Sequence, residues 1–389
     1  MTLRIEVAHM GQPPANCLIV PGGLVVAHTH LYSALARGMP PPATTPANFL
    51  SILQNVWWRL DRALDAQSIA MSARVGIAEA VASGATCLID HHESPLCIDG
   101  SLDLIADAFQ DFGVRGVVTY GITARNFGDA EWRQGLAENR RFLQHNRRPL
   151  VRGLVGLHAC FTLPDKALRQ AAQVARDLGV GLHVHVGEDA LDRDALQRLA
   201  AADALVPGSV FAHGVHIDPA EVALAAEAGV WWVQNARSNA LNAVGFAQLQ
   251  AAGDRVALGT DGLDGDMLAE GRGLLQHASV AHAPVDVLGR LATGQRIVKG
   301  LFGEVADVTV LEYLAPTPMQ QTNWTGHLLF GAPTVREVQV DGRTIAIDRS
   351  AFYPQAQVIA DQLWATMAPL AAVPTADELV RRVAEAHHG

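Results

Sequence analysis

The sequence predicts an α/β protein: a (β/α)8 TIM-type barrel with a small, reduced β-sandwich domain and a C-terminal helical tail. Three observations predict the barrel. Eight short apolar runs alternate with longer helical patterns, several of these patterns end in glycine, and no GxGxxG motif follows the first run, which disfavours an open doubly wound sheet. Strand–helix alternation sustained over this length is typical of a closed parallel barrel.

The barrel elements follow one another in a regular order. The apolar runs are 23–28, 86–91, 116–121, 153–158, 181–185, 209–213, 230–235 and 255–261. Helical patterns fill the intervals between them, for example 66–84, 165–179 and 218–229.

The pattern changes after the barrel. Residues 305–314 and 335–348 alternate apolar and polar side chains, and Asp341-Gly342 is a hairpin signal. The tail is predicted to be a helical pair with a break near Pro374. The predicted domains are the barrel, 21–300; the small β-sandwich, 1–20 with 301–350; and the helical tail, 351–389.

Composition and charge narrow the class of protein. Of the 389 residues, 49% are apolar and 17% are charged, which is typical of a chain with a large core. The net charge of −10 disfavours binding to nucleic acid or to an anionic membrane. No apolar run reaches the ~18–20 residues of a membrane span. The N-terminus lacks a signal-peptide profile, and the four cysteines lack CxxC spacing. We therefore expect a cytoplasmic protein.

Histidines collect at the ends of the predicted strands. On a strand, His28 and His30 at the end of the first run would face the same side. Nine of the sixteen histidines lie at or just beyond the C-terminal ends of runs: His28, His30, His91, His92, His158, His183, His185, His213 and His216. In a barrel these ends form the active-site face. The clustering therefore indicates a metal site rather than core packing.

We assign His28, His30, His185 and Asp261 as the protein ligands of one divalent metal ion per chain, with water as a fifth group. Imidazole with one carboxylate suits zinc or iron(II) better than magnesium or calcium, which prefer oxygen donors. A catalytic site leaves one position open for water, and the metal lowers the pKa of that water from about 15.7 to about 7.

Glu188 and His213 complete the predicted catalytic set with Asp261. Glu188 follows His185 by three residues, so we expect it to take the proton of the attacking water and to deliver it to a substrate nitrogen. We expect His213 to hydrogen-bond the hydroxide or the oxygen that it becomes. Taken alone, Glu188 would be interpreted as an acid in the first turn of a helix, but its position beside His185 disfavours that alternative.

These motifs resemble the amidohydrolase superfamily. HxH on strand one, HxxE after strand five, a histidine on strand six and an aspartate on strand eight are similar to its deaminase and chlorohydrolase (TRZ/ATZ) branch, and within that branch to the SsnA-like aminohydrolases. The similar stretches include "HTHLYSALARGM", "DHHESP", "GLHACFTL", "AHGVHID", "NARSNALNAVG", "LGTDGLDGDM" and "ADVTVLEYLAPTP". The resemblance implies a barrel with a small β-sandwich, one metal ion, hydrolysis at a carbon that bears an amino group, and a homodimer.

Two features depart from the family pattern. Only residues 1–20 precede the barrel, which implies a reduced sandwich, and the loop after the third strand reads "YGITARNFGD" where SsnA-like chains carry acidic and serine residues.

A further feature concerns the metal content. Relatives with two metals bridge them by a carboxylated lysine on strand four, whereas here this run ends in His158 and Lys166 lies eight residues further on. We therefore predict a mononuclear site.

Four residues are assigned to substrate binding. The resemblance implies a substrate contact for His158, with a supporting hydrogen bond near the metal as the alternative. His216 is placed in the pocket lining. Asn239 offers an amide near the mouth, although Asn also favours turns and helix caps. Arg37 is assigned to an anionic substrate group or, alternatively, to bracing its loop.

Three other histidines receive supporting roles. His91 and His92 are candidates to orient Asp261 or other ligands, because metal sites need hydrogen-bond partners behind the ligands. His183 lies two residues before His185 and is interpreted as structural.

The function predicted from these features is that of a cytoplasmic aminohydrolase. It would act on a small aminated nitrogen heterocycle, purine- or pyrimidine-like, and release ammonia. A chlorohydrolase or a cyclic-amide hydrolase is the alternative, because the metal machinery is shared and only the pocket loops would differ. A non-catalytic metal-dependent binding protein is disfavoured, since every ligand is present together with Glu188 and His213.

Overall fold

The computed structural model of the chain describes residues 2–9 and 15–388. The predicted small domain includes Met1 and residues 10–14, and the predicted tail includes Gly389; these positions lie outside the described residues.

Fourteen strands are present in the described part of the chain. In chain order they are β1 (Glu6–His9), β2 (Ala15–Pro21), β3 (Leu24–Thr29), β4 (Ala85–Asp90), β5 (Arg115–Val118), β6 (Val151–Gly153), β7 (Val155–Ala159), β8 (Leu182–Val186), β9 (Val210–His213), β10 (Trp231–Gln234), β11 (Val256–Leu258), β12 (Val308–Leu314), β13 (Thr334–Val340) and β14 (Arg343–Thr344).

Strands β3 to β11 form a closed parallel barrel. They pair in the orders β3-β4-β5-β6 and β11-β10-β9-β8-β7. Parallel bridges from Thr29 to Asp261 and from Ile122 to Leu157 join these two groups. The predicted fourth run is split into β6 and β7 on either side of Leu154. The barrel confirms the predicted fold class and brings the C-terminal ends of the strands to one face.

An apolar cluster separates this face from the opposite end of the barrel. Most of its members are single residues of successive barrel strands, and one comes from the last barrel helix: Ala27, Ile89, Val117, Leu154, Val210, Val233, Ala257 and Ile297. On β3 and β9 a histidine follows the apolar member within the strand, and His91 directly follows β4. The polar side chains therefore gather on the C-terminal side of a packed core.

The α-helices surround the barrel and extend into the tail. They are α1 (Phe49–Ile52), α2 (Trp58–Ala63), α3 (Ala66–Ala82), α4 (Ser101–Phe112), α5 (Asp129–His145), α6 (Asp165–Leu178), α7 (Ala195–Ala201), α8 (Pro219–Glu227), α9 (Ala236–Leu241), α10 (Met267–Val280), α11 (Val287–Phe302), α12 (Trp324–Phe330), α13 (Tyr353–Met367) and α14 (Ala376–His388). None of the helices in the described ranges combines the length and the hydropathy needed to span a bilayer.

Local sequence signals explain where the predicted helices begin and end. Asp65 caps α3 in a capping box with Ser68. Asp218 caps α8, whose first residue is Pro219. Helix α6 ends at Gly179, which has φ +66° and thus adopts the left-handed conformation that glycine accepts without strain.

The small domain is a five-stranded antiparallel sheet. Its strands come from the segments that precede and follow the barrel in sequence. Its strand order is β1-β2-β12-β13-β14. The predicted hairpin joins β13 to β14, with Val340 paired to Arg343. Asp341 and Gly342 both have positive φ angles, +48° and +73°, as a two-residue turn of type I′ requires.

The second tail helix, α14, packs beside the C-terminal face of the barrel. Leu379 of α14 belongs to an apolar cluster with Phe49, Leu53 and Trp58, which lie in the segment after β3. Arg382 of α14 donates hydrogen bonds to the backbone carbonyl groups of the loop that follows β5. The tail therefore contributes to the wall above the barrel mouth.

A buried ion pair joins the barrel to the small sheet. Arg115 of β5 is 4% exposed, and its Nε and Nη2 donate to the Asp307 carboxylate at 2.7 and 3.1 Å. Arg115 also pairs with Asp341 in the turn of the hairpin. Removing one partner of a buried pair leaves the other charge uncompensated.

We therefore expect Arg115→Met to lower the free energy of unfolding by about 3–5 kcal/mol. Urea denaturation measures this loss. The control is Lys299→Met, which breaks an exposed pair with Glu304 and should cost about 1 kcal/mol or less. Equal effects of the two substitutions would contradict the role of Arg115.

Candidate metal centre and active site

Three histidines and one aspartate converge at the C-terminal face of the barrel. The Nε2 atoms of His30 and His185 lie 3.1 Å apart. Asp261 Oδ1 lies 3.1 Å from His30 Nε2 and 3.5 Å from His28 Nε2. The structure therefore brings together the four residues that the sequence assigns as metal ligands.

Backbone and side-chain partners fix the orientation of the three imidazole rings. His30 Nδ1 donates to the carbonyl oxygen of His91 at 2.6 Å, and His185 Nδ1 donates to that of His158 at 2.9 Å. His28 Nδ1 lies 2.9 Å from Nε2 of His183. Each ring thus uses Nδ1 for support and directs Nε2 towards the centre. His183 therefore lies behind one of the assigned ligands, and its structural role stays a prediction.

The donor set fits a divalent cation. With Nδ1 protonated, the Nε2 atoms of His30 and His185 present lone pairs to each other at 3.1 Å, which is favourable only with positive charge between them. His28 Nε2 has no hydrogen-bond partner among the described residues. Two opposing effects act on the pKa of His30. Burial lowers this pKa, but the hydrogen bond to Asp261 and the charge of Asp261 outweigh burial and raise it to about 9. The group therefore attracts positive charge. Nitrogen and carboxylate ligands of this kind suit zinc or iron.

Asp261 is held in place by backbone and side-chain contacts. Its Oδ2 accepts a hydrogen bond of 2.5 Å from Ser238 Oγ, at the start of α9. Its backbone has φ +55°, a left-handed conformation that is costly outside glycine and that is often found at functional sites. Ser238 therefore leaves Oδ1 as the oxygen that faces the histidines.

Glu188 and His213 lie beside this group. His213 Nε2 is 3.6 Å from Glu188 Oε2 and has no hydrogen-bond partner in the described part of the chain. Its Nδ1 donates to Asn239 Oδ1 at 2.9 Å. Burial and the charge of Asp261 raise the pKa of the Glu188 carboxyl well above its usual value. A carboxyl group in this setting is suited to accept and return a proton.

Several of these side chains line one cavity. Its polar lining includes His30, Glu93, His158, His185, Glu188, Ser238 and Asp261. Its apolar and aromatic lining includes Phe49, Leu53, Trp57, Trp58, Phe161 and Leu241. A planar ring with polar edges fits this lining, because its edges can pair with the polar groups while its faces pack against aromatic side chains.

Only one of the four residues assigned to substrate binding lines this cavity. His158 does so. Asn239 is buried behind His213, and His216 Nε2 donates to the carbonyl oxygen of Val244. Arg37 pairs with Glu79 at 2.5 Å, so it braces its loop, as the alternative interpretation proposes. These placements argue against direct substrate contacts for Asn239, His216 and Arg37.

The sequence did not predict the role of a second acidic residue in the cavity lining, Glu93, or of its partner Arg125. Glu93 lines the cavity, and Arg125 is buried between Glu93 and Asp61. Glu93 occurs in "DHHESP", and Arg125 occurs in the loop that departs from the family pattern. An arginine that the chain buries completely needs acidic partners, but the sequence does not reveal which acids they are.

We expect Asn239→Ala to lower kcat by about 10–100-fold, because partners that orient a catalytic imidazole contribute on this scale. His213 would lose the acceptor of its Nδ1 proton. The metal content should stay at the parent level, since His213 is not among the four assigned ligands. Elemental analysis and a turnover assay measure both quantities, and unchanged turnover would contradict the orienting role.

Comparison with known families gives one match that spans most of the chain. The model of the Amidohydrolase family matches residues 18–314. This range includes the whole barrel, β12 and most of β2, and with them every residue of the converging histidine and aspartate group.

Curated proteins and solved structures resemble the chain over most of its length. A 5-methylthioadenosine/S-adenosylhomocysteine deaminase of Haloarcula marismortui is 30% identical over 368 residues, which cover 86% of this chain and 82% of that relative. A zinc-bound adenosine deaminase from Xanthomonas campestris is 24% identical with a TM-score of 0.76, covering 89% of this chain and 85% of the other. A zinc complex of atrazine chlorohydrolase from Arthrobacter aurescens is 20% identical with a TM-score of 0.71, covering 88% of each chain. The two solved structures share the barrel fold.

Proposed function

Because this chain belongs to the amidohydrolase family, we propose that it is a metal-dependent aminohydrolase. It removes an amino group from a small purine- or pyrimidine-like heterocycle and releases ammonia. The observation that carries the proposal is that Glu188 lines the cavity together with Asp261, His30 and His185, and that the buried His213 lies beside Glu188. A protein that only binds a metal has no need of a proton carrier at this position.

The protein side chains divide the reaction between them. Water adds to the ring carbon, so that a C–O bond forms, and Glu188 accepts its proton. Glu188 then donates that proton to the amino nitrogen, the C–N bond breaks, and ammonia leaves. His213 Nε2 hydrogen-bonds the oxygen during this change. A bound divalent metal supplies Lewis acidity, which lowers the pKa of water from about 15.7 to about 7.

His28, His30, His185 and Asp261 would hold one metal ion per chain, zinc or iron. A second metal bridged by a modified lysine is disfavoured by the position of Lys166, which pairs with Asp129 at 3.0 Å, away from the cavity. Elemental analysis of protein purified without added metal tests this stoichiometry. Two equivalents per chain would contradict the mononuclear site.

The direct test of the reaction is a screen for ammonia release from aminated purines, pyrimidines, pterins and triazines. At least one ring class should give ammonia at a rate that a chelator abolishes. Chloride release from chlorotriazines is the matched measurement for the alternative, a chlorohydrolase. Chelator-sensitive chloride release without ammonia from any amine would favour that alternative and contradict the deaminase proposal.

A cytoplasmic location is supported by the cysteines, since all four are free and three of them are buried. A homodimer is expected from the family resemblance alone, and light scattering tests it. A monomer would remove this expectation without affecting the chemistry of the cavity.

A further inference from the structure

Glu93 is a cavity carboxylate that the proposed reaction does not use. It follows β4, is 3% exposed and lines the cavity together with Glu188. One of its oxygens lies within 4.8 Å of nitrogens of both His158 and His185. A ring whose reacting carbon faces His185 and Glu188 would therefore present another edge to Glu93.

A fully buried arginine holds this carboxylate. Arg125 Nη1 donates to Glu93 Oε2 at 3.1 Å, and the same guanidinium pairs with the buried Asp61. The guanidinium lies 5.1 Å from the centre of the Trp58 ring, and Arg382 of α14 fixes the Arg125 backbone through its carbonyl oxygen. Glu93 thus stays charged and cannot turn away from the cavity, because its partner Arg125 is itself held by contacts from α2 and α14.

His158 presents a second acceptor beside Glu93. Thr162 Oγ1 donates its proton to the carbonyl oxygen of Ala159 at 2.8 Å, so it accepts the 3.0 Å hydrogen bond from His158 Nδ1. With Nδ1 protonated, His158 Nε2 carries a lone pair, and this atom lies 3.7 Å from Glu93 Oε2. Two acceptors side by side can be satisfied only by hydrogen-bond donors placed between or before them.

We propose that Glu93, with His158, selects heterocycles that present N–H donors next to the reacting carbon. The substrate class is an aminated ring with a lactam or amidine N–H on the edge that faces Glu93. Rings whose nitrogens are all acceptors on that edge are excluded, because their lone pairs would face the buried carboxylate and the lone pair of His158 Nε2 with no donor between them. This inference rests on the proposed deaminase function and adds the ring type on which it acts.

Matched pairs of compounds test the proposal. Isocytosine and 2-aminopyrimidine carry the same amino group, as do guanine and 2-aminopurine. Only the first member of each pair has a lactam N–H next to the carbon that bears the amino group. For at least one pair, the parent enzyme should prefer the N–H member in kcat/KM by at least about 100-fold, since sites built to pair with a polar group reject analogues that lack it more strongly than shape alone does.

The variant Glu93→Gln tests whether Glu93 causes this preference for the N–H member. Glutamine still offers an oxygen to Arg125 but adds an amide donor, so the preference should fall at least tenfold relative to the parent. Comparing variant with parent cancels the intrinsic reactivity of each ring. Glu138→Gln is the control, because Glu138 is also buried and paired with an arginine, Arg141, but lies outside the cavity lining; its preference should equal that of the parent.

The outcomes separate this inference from the proposed function. Deamination of both members of each pair at similar rates, or an unchanged preference in Glu93→Gln, would overturn the inference and leave the deaminase intact. If none of the compounds yields ammonia, the deaminase proposal fails for these rings, and calorimetric binding then decides the inference. Equal binding of both members of each pair, or no binding of the N–H members, would overturn it. If Glu93→Gln does not fold, Glu93→Asp takes its place, and its preference for the N–H member in kcat/KM is compared with that of the parent enzyme.

Discussion

Replacing Glu188 by glutamine is expected to lower kcat by about 10²–10⁴-fold, the usual contribution of a general acid–base group. Glutamine keeps the size of the side chain but cannot carry the proton between water and the amino nitrogen. The metal content should stay at the parent level, because Glu188 lies beside His213 rather than among the four assigned ligands. Turnover and elemental analysis of the purified variant measure the two effects.

The control for Glu188→Gln is Glu227→Gln, an equivalent substitution at the exposed end of α8, which should leave turnover unchanged. Near-parental turnover in Glu188→Gln would remove the proposed mechanism. Loss of the metal from this variant would instead show that Glu188 is a ligand.

Replacing Asp261 by asparagine is expected to reduce both metal retention and turnover by more than about 100-fold. Partners behind metal ligands contribute 10–100-fold, so loss of a charged ligand should exceed that range. Asp261 contacts both His28 and His30, and its substitution removes the negative charge that attracts the cation. Metal content after dialysis and ammonia release at saturating metal measure the two losses separately.

Asp254→Asn is the matched control for this variant, because Asp254 lies just before β11 and is exposed, with Arg296 as its partner. It should retain both metal and activity. If Asp261→Asn kept a full equivalent of metal through dialysis while Glu188→Gln lost it, the division into ligands and proton carriers would be wrong.

The ligand residues could be predicted because each of them stands at the end of an apolar run. His28 and His185 belong to strands that are buried along their whole length, and His30 directly follows the first of these strands. A parallel barrel necessarily brings such strand ends together. Asp261 follows the last run in the same way. Their positions depend on strand periodicity, which a sequence shows directly.

The contacts behind the ligands could not be predicted, because they depend on the register between separate elements. The bond from Ser238 to Asp261 joins residues that are 23 positions apart. Arg125 is 32 positions from Glu93 and 64 from Asp61. The role of Arg37 was open for the same reason, since Glu79 lies 42 positions away on α3. Spacing along the chain does not reveal which of many polar residues meet.

The most direct test of the central claim is a metal titration of protein stripped by a chelator, with ammonia release from its best heterocyclic substrate as the readout. We predict no ammonia without metal, a linear rise as zinc is added, and a break at one equivalent per chain. Glu188→Gln should bind the same single equivalent without gaining activity. Full ammonia release from the stripped protein, or a break at two equivalents, would contradict a mononuclear metal-dependent deaminase.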